Sequence, residues 1–426
     1  MVQPDRQEQP CRPRPRVAHI TAIDASIRRL LMNQLLYLKA HGFDVCVICS
    51  EGPNREMIEA QGIPVYPVPL PRKITPITDL VSLGKMVHIM RRERIDIVHG
   101  HTLNGVLWGQ MAGRLSGCPI VLQTVHGFFF HDNMPPSSRN LFVNVERMAA
   151  LSSDAMLSQS WEDVETAINE GIGTRCRHIV HLGNGIDVDA FDPARFTQDD
   201  RNRIRQSLGF ATDDKIAVIV GRQTRDKGYF ELCDAMKVVL QDEPKARLLC
   251  IGPSDEERKG AFDPVSLGLS DLPWICFAGR REDIPQLLHA CDVAVLPSHY
   301  EGYPRFLMEA HAMGLASVAT NVRGCREVVD HGVTGMLVPL LDVPALADAI
   351  KTVFRDTSLR EQYGRAARQR ACKLFDEQDV FHKVEQMYRL LLEEKKVDRP
   401  RSLSGLPKIP PLERTLQWVR LRRWSS

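Results

Sequence analysis

The sequence predicts an α/β protein made of two doubly wound domains that face each other across a cleft. In the first half of the chain, short apolar runs alternate with amphipathic segments. The alternation stops in a polar stretch at 188–212 and then begins again. The length of 426 residues also exceeds that of most single domains. Alternating strands and helices form parallel sheets with helices on both faces, and ligands bind there at the carboxyl ends of strands.

The composition is that of an ordinary globular protein. Hydrophobic residues make up 43% of the chain and charged residues 25%, and the net charge of +2 argues against nucleic acid as a partner. The polar, basic segment 1–16 lacks the apolar centre of a secretory signal, and no apolar run approaches the ~20 residues that span a bilayer. Eleven scattered cysteines favour reduced, buried thiols. We therefore expect a cytoplasmic protein.

The first predicted domain covers 17–187. Its first strand, 17–23, is followed by a helix that Asp24 or Ser26 can cap and that Gly42 ends. Further short apolar runs predict strands at 44–49, 65–68, 95–99, 120–124, 155–158 and 179–182. Apolar residues at helical spacing predict the intervening helices at 56–61, 79–94, 103–116, 138–151 and 161–170.

The second predicted domain covers 213–375, after a polar linker at 188–212. Three of its strands end in glycine followed by arginine or proline, which are residues typical of tight turns. Its strands are predicted at 216–220, 246–251, 274–277, 292–296, 317–320 and 336–339. Helices are predicted at 227–242, 282–290, 343–355 and 358–372.

A long amphipathic helix at 376–396 is expected to pack back toward the first domain. The tail at 397–426 carries seven basic and two acidic residues, with Trp418 and Trp424 among the arginines. This pattern suits a segment that lies on an anionic membrane surface, which would make the protein peripheral at the inner face of the plasma membrane. A disordered tail, or a helix packed on its own protein, would have the same composition.

One predicted strand–loop–helix, at 296–314, contains two carboxylates. Glu301 lies on the loop, and Glu309 lies in the helix that begins at Pro304 and ends at Gly314. The amides at the start of this helix face the same space as Glu301, and a helix N-terminus attracts an anion. The stretch is therefore a candidate site for an anionic ligand, although many helices carry a glutamate without binding anything.

A second group of charges follows the first strand of the second domain. Arg222 comes directly after Gly221, and Lys227 stands shortly before a helix. An arginine fork and a lysine point charge at a helix start suit a diphosphate. A solvated loop would carry the same residues, so the spacing alone leaves both interpretations open.

Taken together, these residues resemble the retaining glycosyltransferases of family 4, which have the GT-B fold of two Rossmann-like domains. The resemblance covers 17–395 and is strongest at 180–340, with Glu301 and Glu309 as the Glu-x7-Glu motif. Residues 301–305 and 323–327 most resemble the subgroup of the family that builds bacterial capsular and other surface polysaccharides on lipid-linked carriers. The segments that carry the family resemblance are Asn184-Gly185-Ile186-Asp187, Gly221-Arg222, Lys227-Gly228, Gly252-Pro253, Phe277-Ala278-Gly279-Arg280, Pro297-Ser298, Glu301-Gly302-Tyr303-Pro304-Arg305, Glu309-Ala310, Ala319-Thr320, Gly324-Cys325-Arg326-Glu327-Val328-Val329 and Gly332-Val333-Thr334-Gly335.

The resemblance implies a role for each matching residue. Arg222 and Lys227 would bind the donor diphosphate and stabilise it as the leaving group. Glu301 would hold hydroxyls of the donor sugar, and Glu309 would accept from hydroxyls of its ribose. The implied catalytic residues are Arg222, Lys227, Glu301 and His126, the last of which matches a family histidine that reaches the donor sugar.

The remaining matches would line the donor site. Gly279 and Arg280 would lie against the nucleobase. Pro304 stands where family members often have glycine, and a proline has no N–H to offer the donor. The implied donor-binding residues are Glu309, Gly302, Tyr303, Arg305, Gly279, Arg280 and Asn184.

The first domain of such an enzyme faces the acceptor. The family's usual glycine-rich loop after the first strand is missing, and residues 21–26 take its place. Asp24 and Arg28 are candidate acceptor-side residues, since an acceptor with a phosphate can meet an arginine there, but a solvated surface fits equally well. No metal and no other cofactor is expected, because His99 and His101 have no third ligand at suitable spacing.

The sequence thus predicts a retaining, metal-independent glycosyltransferase. It would move a sugar from a nucleotide sugar, expected to be a UDP-sugar, to a saccharide or polyprenyl-linked saccharide acceptor in surface polysaccharide assembly. The alternative is a nucleotide-sugar epimerase on the same fold, which would convert the donor without an acceptor. A non-catalytic binding module is a third hypothesis. The presence of both glutamates and of both cations of the site argues against it.

Overall fold

The computed structural model divides the chain into two compact units. The first unit contains the described residues up to Leu182 and from Phe381 onward, and the second unit is Gly183–Val380. The predicted N-terminal segment and the predicted C-terminal tail lie for the most part outside the described residues. The structure describes residues 14–70, 76–131, 134–254, 262–397 and 418–419.

The described strands form two sheets, one in each unit. All except β14, for which no strand was predicted, lie close to the predicted positions, with ends that differ by one or two residues. The strands are β1 (Arg16–Ile23), β2 (Asp44–Ser50), β3 (Val65–Pro67), β4 (Ile97–His101), β5 (Ile120–Val125), β6 (Ala155–Ser158), β7 (His178–His181), β8 (Lys215–Val220), β9 (Ala246–Ile251), β10 (Ile275–Gly279), β11 (Val293–Leu296), β12 (Ala316–Thr320), β13 (Gly335–Val338) and β14 (Trp418–Val419).

Helices connect these strands. Within the part of the chain that the structure describes, every helix is too short or too polar to cross a membrane. One π-helical turn covers Ile27–Leu31, and 3₁₀ turns cover Pro193–Arg195 and Arg225–Lys227. The α-helices are α1 (Asp24–Ser26), α2 (Met32–Ala40), α3 (Arg55–Ala60), α4 (Pro76–Arg92), α5 (Leu103–Ser116), α6 (Pro136–Ala150), α7 (Trp161–Asn169), α8 (Gln198–Ser207), α9 (Tyr229–Asp242), α10 (Ile284–His289), α11 (Arg305–Ala312), α12 (Cys325–Val328), α13 (Val343–Arg355), α14 (Thr357–Leu374) and α15 (Glu377–Glu394).

The sheet of the first unit has the strand order β14-β7-β6-β5-β4-β1-β2-β3. Neighbouring strands are parallel apart from β14, which pairs antiparallel with β7. The order reverses between β1 and β4, where His19 lies opposite His99 in the register. Strand β2 is buried from Val45 to Cys49, as expected for a strand covered by helices on both faces.

The sheet of the second unit has the strand order β10-β9-β8-β11-β12-β13, and all its pairs are parallel. This order reverses between β8 and β11. The loops that follow these two strands therefore leave the same edge of the sheet as neighbours. All four residues of β11 are buried, so its carboxyl end is a fixed support for the loop that follows.

The predicted linker at 188–212 belongs to the second unit and contains helix α8. Thr197 and Asp200 form a reciprocal capping box at its start. Arg205 is almost fully buried, and its Nη2 donates to Asp292 Oδ2 at 2.9 Å. The sequence did not reveal this helix because Ile204 is the sole apolar side chain within it, so it has no apolar stripe. A cap and buried arginine contacts stabilise it instead.

Helix α15 begins in the second unit, and its residues from Phe381 onward belong to the first. There Glu385 Oε2 accepts a hydrogen bond from the Tyr37 hydroxyl at 2.8 Å. Tyr388 is fully buried, and its hydroxyl lies 2.6 Å from His99 Nδ1. The part of helix α15 from Phe381 onward therefore supplies part of the core of the first unit.

Neither Asp24 nor Ser26 caps the helix after β1, which corrects the sequence-based expectation. The Asp24 carboxylate instead accepts from the backbone amide of Asn54 at 2.5 Å and from its side chain at 3.1 Å. A Cβ on Gly52 would lie 2.4 Å from this carboxylate, so a larger residue there would force the Asp24 side chain to move. Asp24 therefore holds the loop after β2 against the end of β1.

Candidate functional site

Lys227 and Glu301 meet at the carboxyl edge of the second sheet, between β8 and β11. Lys227 lies in the 3₁₀ turn after β8, and its Nζ is 2.6 Å from Glu301 Oε1. Ser298 Oγ donates to the same oxygen at 2.7 Å. The Lys227 side chain is 22% exposed and that of Glu301 10%. The pair thus occupies the point of strand-order reversal, where doubly wound sheets bind their ligands.

The surroundings of Lys227 keep it positively charged. Burial by itself would lower the pKa of Lys227, but the neighbouring Glu301 carboxylate outweighs burial, so the pKa is raised. The stem of Lys227 lies 3.9 Å from the position that a Cβ on Gly221 would take. Arg222, which is half-buried, follows that glycine. The loop after β8 therefore brings two cations to this edge of the sheet.

Two glycines allow the loops at this edge to press together. A Cβ on Gly228, which has a φ of +76°, would lie 2.1 Å from the carbonyl oxygen of Pro297. A Cβ on Gly324, which has a φ of +75°, would lie 2.3 Å from the carbonyl oxygen of Gly302. The loops after β8 and β12 both contact the loop that carries Glu301, so its position is fixed from two sides.

Helix α11 begins at Arg305, one residue later than predicted. Pro304 is extended, with a φ of −73° and a ψ of 105°, and precedes the helix as its cap residue. Gly314 follows the helix in the left-handed conformation, as predicted, with a φ of +74°. No side chain among the described residues caps the start of α11. The Leu307 amide donates to the Pro304 carbonyl at 3.1 Å, so the two amides before it, those of Arg305 and Phe306, are the ones open to an anion or a hydroxyl group.

A hydrogen-bonded network surrounds the start of α11. Arg305 Nε donates to Glu309 Oε1 at 3.1 Å, and Arg305 Nη1 donates to the carbonyl of Gly185 at 3.3 Å. Asn184 Nδ2 donates to the carbonyl of Tyr303 at 3.5 Å. Burial raises the pKa of Glu309, and Arg305 opposes part of this effect. Four predicted donor-binding residues are thus brought together here.

Each glutamate of the site uses one carboxylate oxygen for contacts with the protein. Oε1 of Glu301 accepts from Lys227 and Ser298, and Oε1 of Glu309 accepts from Arg305. Over the described ranges, the second oxygen of each carboxylate has no hydrogen-bond donor. A carboxylate oxygen in this state readily accepts from a hydroxyl group. The arrangement suits a ligand that is rich in hydroxyl groups and carries negative charge elsewhere.

Gly279 and Arg280 lie at the end of β10, on the same edge of the sheet. Gly279 has a φ of +63°, and its carbonyl accepts from the amide of Gly252 at 2.8 Å. A Cβ on Gly252 would lie 1.8 Å from the carbonyl oxygen of Gly221, so the ends of β9 and β8 are in direct contact. Arg280 is exposed and forms no ion pair with another described residue. It is therefore placed on the predicted edge but outside the Lys227–Glu301 network.

His126 follows β5 in the first unit and is half-buried. Its Nε2 lies 3.1 Å from Nδ1 of His101, and the side chain of Gln159 also hydrogen-bonds to its ring. Burial lowers the pKa of His126 to about 4, and the Gln159 contact offsets only part of that effect. His126 is therefore neutral at physiological pH, with one ring nitrogen directed into the core of its own unit.

A third histidine joins the pair that was considered for a metal, so the expectation of no third ligand was wrong. Ring nitrogens of His19, His99 and His101 lie within 4.8 Å of one another. The parallel pairing of β1 with β4 brings His19 opposite His99, which spacing along the chain could not show. All three rings hydrogen-bond to neighbouring protein groups, which satisfies them without an ion.

The two predicted acceptor-side residues have different surroundings. The Asp24 carboxylate is buried and engaged with Asn54. Arg28 is exposed on the π-helical turn that follows α1, a feature that is frequent at functional sites. Only Arg28 thus remains accessible to a ligand.

Three residues that shape these sites had no role predicted from the sequence. Ser298 is the first polar residue after β11, and this position was the available signal. His19 interrupts an otherwise apolar strand, which is a usable signal for a buried polar contact. Gly324 stands in a segment that carries the family resemblance, but its close approach to Gly302 could not be predicted because it depends on the neighbouring strands.

Comparisons with known proteins agree with this architecture. The family model for "Glycosyl transferase 4-like" proteins matches residues 19–160, and that for "Glycosyl transferases group 1" matches residues 200–370. A relative from Escherichia coli, "UDP-Gal:alpha-D-GlcNAc-diphosphoundecaprenol alpha-1,3-galactosyltransferase", is 28% identical over 81% of this chain and 89% of its own. The "capsular polysaccharide biosynthesis glycosyltransferase CapM" of Staphylococcus aureus is 27% identical over 89% of this chain and 98% of its own.

Solved structures share the fold. Anabaena Alr3699/HepE, in complex with UDP and glucose, has a TM-score of 0.72 at 20% identity and covers 88% of this chain and 99% of its own. A glycosyltransferase from Rickettsia africae has a TM-score of 0.73 at 22% identity and covers 89% and 99%. These findings confirm the predicted fold and give no support to the epimerase alternative. This chain is therefore a glycosyltransferase of the GT-B fold that belongs to the group 1, family 4-like glycosyltransferases.

Proposed function

We propose that this chain is a retaining, metal-independent hexosyltransferase. It takes a sugar from a UDP-sugar and passes it to a saccharide or polyprenyl-linked saccharide during surface polysaccharide assembly. The observation that carries the proposal is the Lys227–Glu301 pair at the strand-order reversal of the second sheet. This pair, with Glu309 in the following helix, supplies a fixed cation and two carboxylates that each have one oxygen to offer a hydroxyl.

In this proposal, Arg222 and Lys227 bind the diphosphate of the donor. Negative charge develops on the diphosphate as its bond to the sugar breaks, and cations already in place stabilise that charge without reorganisation. Lys227 is suited to this role because its raised pKa keeps it protonated. The two cations take the neutralising role that a divalent ion has at other phosphate sites, so no metal is required.

The glutamates divide the hydroxyl groups of the donor between them. Glu301 accepts from hydroxyls of the sugar, and Glu309 accepts from those of the ribose. The uncapped amides at the start of α11 lie beside them, although Pro304 contributes no N–H there. His126, Asn184, Gly279 and Arg280 complete the proposed set of donor contacts.

The printed activities of relatives support the donor and acceptor classes. The Escherichia coli relative is named for a UDP-galactose donor and a diphosphoundecaprenol-linked acceptor, and CapM is named for capsular polysaccharide biosynthesis. Anabaena Alr3699/HepE binds UDP and glucose. We extend the same classes of donor and acceptor to this chain, and we place Arg28 on the acceptor side as a contact for phosphate.

The test is release of UDP from a panel of UDP-sugars by the full chain, with polyprenyl-diphosphate saccharides as acceptors. One donor is expected to release UDP, and the anomeric configuration of the product, read by NMR, is expected to match that of the donor. Arg222→Ala is expected to lower kcat/KM about 100-fold or more, because a charge on the leaving group loses its partner.

Arg365→Ala is the matched control for Arg222→Ala. Arg365 is exposed on α14, where it pairs with Glu361 at 3.6 Å, and its loss is expected to leave UDP release unchanged. Absence of UDP release with every donor, together with unchanged donor binding by Arg222→Ala, would refute the proposed function. Conversion of the donor in the absence of any acceptor would instead favour an epimerase.

We also propose that the tail at 397–426 brings the protein to an anionic membrane surface, at its cytoplasmic face, where a lipid-linked acceptor is found. Its basic residues and tryptophans support this proposal. Beyond Val397 the structure describes only Trp418–Val419 of this tail, and these two residues pair with β7. Sedimentation with anionic vesicles is expected to retain the full chain and to lose a variant that lacks 405–426. Equal retention of both proteins, or equal binding to neutral vesicles, would contradict the proposal.

A further inference from the structure

Ring nitrogens and hydroxyls of the first unit form one unbranched series of hydrogen bonds, which we call the histidine network. Each of its interior histidines uses both ring nitrogens, one toward each neighbour. The network runs in order through Thr124, His99, Tyr388, His19, His101 and His126. The successive distances are 2.7, 2.6, 3.3, 3.0 and 3.1 Å.

The interior of the network is closed to water. His19, His99 and Tyr388 have no exposed surface, and His101 is 2% exposed. His126 is half-buried and forms the end of the series that is nearest to solvent. Water therefore cannot replace a missing partner inside the network, so each bond that is lost leaves a polar atom unsatisfied.

Four parts of the fold are required to build the network, namely β1, β4, the end of β5 and α15. The register of β1 with β4 places His19 opposite His99, and the rings of His19 and His101 stack with centroids 5.2 Å apart. Helix α15 brings Tyr388 between His99 and His19. The network thus crosses the strand-order reversal of the first sheet, which is the position of ligand sites in this class of fold.

Neutral imidazole has one N–H donor and one acceptor nitrogen. A histidine that is bonded at both nitrogens must therefore donate on one side and accept on the other. Along an unbranched series, all donors must point the same way. The network consequently has two proton orders: His126 Nε2 donates to His101 in one of them and accepts from His101 in the other.

Burial keeps the histidines of the network neutral, so each has one N–H donor and one acceptor nitrogen. It lowers the pKa of His19 to about 3, and it lowers the pKa of His99 and His101 well below the usual value. The tautomer of His126 is then coupled to groups that it does not touch. Tyr388 is the link at which a hydroxyl must donate to one histidine and accept from the other.

We propose that His101, His19 and Tyr388 are positioning residues that select a single tautomer of His126 and hold its ring. The proposal rests on the proposed function, in which His126 contacts the donor sugar. Selection of the tautomer fixes whether the nitrogen that is not bonded to His101 offers a proton or a lone pair. The Gln159 side chain also hydrogen-bonds to this ring, and a sugar hydroxyl can donate or accept, so the tautomer sets the direction of these bonds and a change of tautomer requires both partners to reorient.

The first test removes one hydroxyl from the interior of the network. Tyr388→Phe keeps the ring and deletes the atom that joins His99 to His19. Ring ¹⁵N NMR of the full chain is expected to show one tautomer of His126 in the unchanged protein and a mixture in Tyr388→Phe. Tyr363→Phe, a buried tyrosine of the second unit, is the matched control and is expected to leave the His126 signals unchanged.

Two substitutions at His101 distinguish its role in holding the His126 ring from its role in selecting the His126 tautomer. His101→Asn keeps a polar atom near the position of Nδ1, which faces His126, and breaks the link to His19. His101→Gln keeps a polar atom near the position of Nε2, which faces His19, and breaks the link to His126. Asn is expected to keep the ring ordered with mixed tautomers, whereas Gln is expected to release the ring and lower kcat/KM about 10- to 100-fold.

A single His126 tautomer in both Tyr388→Phe and His101→Asn would overturn the proposal, because the network would then be packing alone. This outcome is independent of activity, since the NMR signals require no substrate. Absence of UDP release from a protein whose His126 does respond to Tyr388→Phe would refute the proposed function and leave the histidine network in place. Mixed tautomers together with lowered kcat/KM would support both.

Discussion

Lys227 contributes to two properties at once, the stability of the Glu301 loop and the charge of the site. Its motif was predictable from the sequence, as were the two glutamates and Arg222. The ion pair between Lys227 and Glu301 was not predictable, because it depends on β8 and β11 being neighbours although β9 and β10 separate them along the chain. Residue types and spacing thus singled out Lys227 and Glu301 as candidates, while the strand order determined that the two side chains touch.

The energetic coupling of this pair can be measured with a double-mutant cycle. Lys227→Met leaves the Glu301 carboxylate without its cation in a mostly buried position, which is expected to cost about 2–4 kcal/mol of unfolding free energy. Adding Glu301→Gln removes the unpaired charge, so much of the stability should return while UDP release stays low. Urea unfolding and the UDP assay would measure the two effects.

Lys237→Met is the control for this cycle, since Lys237 pairs with Asp234 on the surface and is expected to change little. If the losses from Lys227→Met and Glu301→Gln simply add in the double variant, the two side chains are not coupled, and the proposed role of the pair in holding the loop is wrong.

At the scale of elements, most strands and helices followed from apolar periodicity, and two departures have clear physical reasons. Helix α8 was taken for a linker because its stability comes from the Thr197–Asp200 cap and from Arg205, not from an apolar face. Helix α11 begins after Pro304 because that proline is extended. The glycines were the only sequence signal for the close approach of loops at the carboxyl edge of the second sheet.

The close approach of the β8 loop to the β11 loop makes Gly228 a sensitive position. Gly228→Ala must accommodate a left-handed backbone and a Cβ that would lie 2.1 Å from the Pro297 carbonyl oxygen. The expected loss of unfolding free energy is about 2–5 kcal/mol, with a parallel loss of UDP release as Lys227 moves from Glu301. Thermal unfolding and the UDP assay would measure both.

Gly209→Ala provides the comparison, because Gly209 has a similar φ of +78° but nothing lies within 4 Å of its Cβ position. Its cost is expected to be about 1–2 kcal/mol, the cost of the left-handed backbone alone. Equal losses in the two variants would show that the loop contact does not contribute.

At the scale of the whole molecule, buried and half-buried histidines with lowered pKa values are distributed unevenly between the described parts of the two units. Their pKa values are lowered by burial, so these histidines resist protonation in the folded protein. The first unit contains His19, His99, His101, His126 and His181, whereas the second contains His289 and His311. The sequence shows the positions of all 14 histidines, but which of them become buried depends on the sheets.

This distribution predicts a loss of stability in mild acid. Below the ordinary histidine pKa of 6.5, the unfolded chain binds protons that the folded chain excludes, so the unfolding free energy falls as pH decreases and is highest above about pH 6.5. Each histidine contributes up to about 1.4 kcal/mol per pH unit. Glu146 and Glu309, whose pKa values burial raises, act in the opposite sense but are fewer.

Urea unfolding at pH 7 and pH 5, followed by hydrogen exchange for each unit, would measure this effect. The first unit is expected to lose more stability than the second, because it contains more such histidines. Equal stability of the first unit at both pH values would contradict the assignment of its histidines as neutral.

The discontinuity of the first unit has a consequence for how the protein is made. A ribosome completes β1 to β7 long before it adds Tyr388, so the nascent first unit has His99 and His19 in place without the hydroxyl that joins them. The second unit is continuous and can finish folding as soon as it emerges. A fragment that ends at Leu182 is therefore expected to be degraded rapidly in limited proteolysis, whereas one that spans Gly183–Val380 resists. The part of the chain that is synthesised first would then be the last to reach its native state.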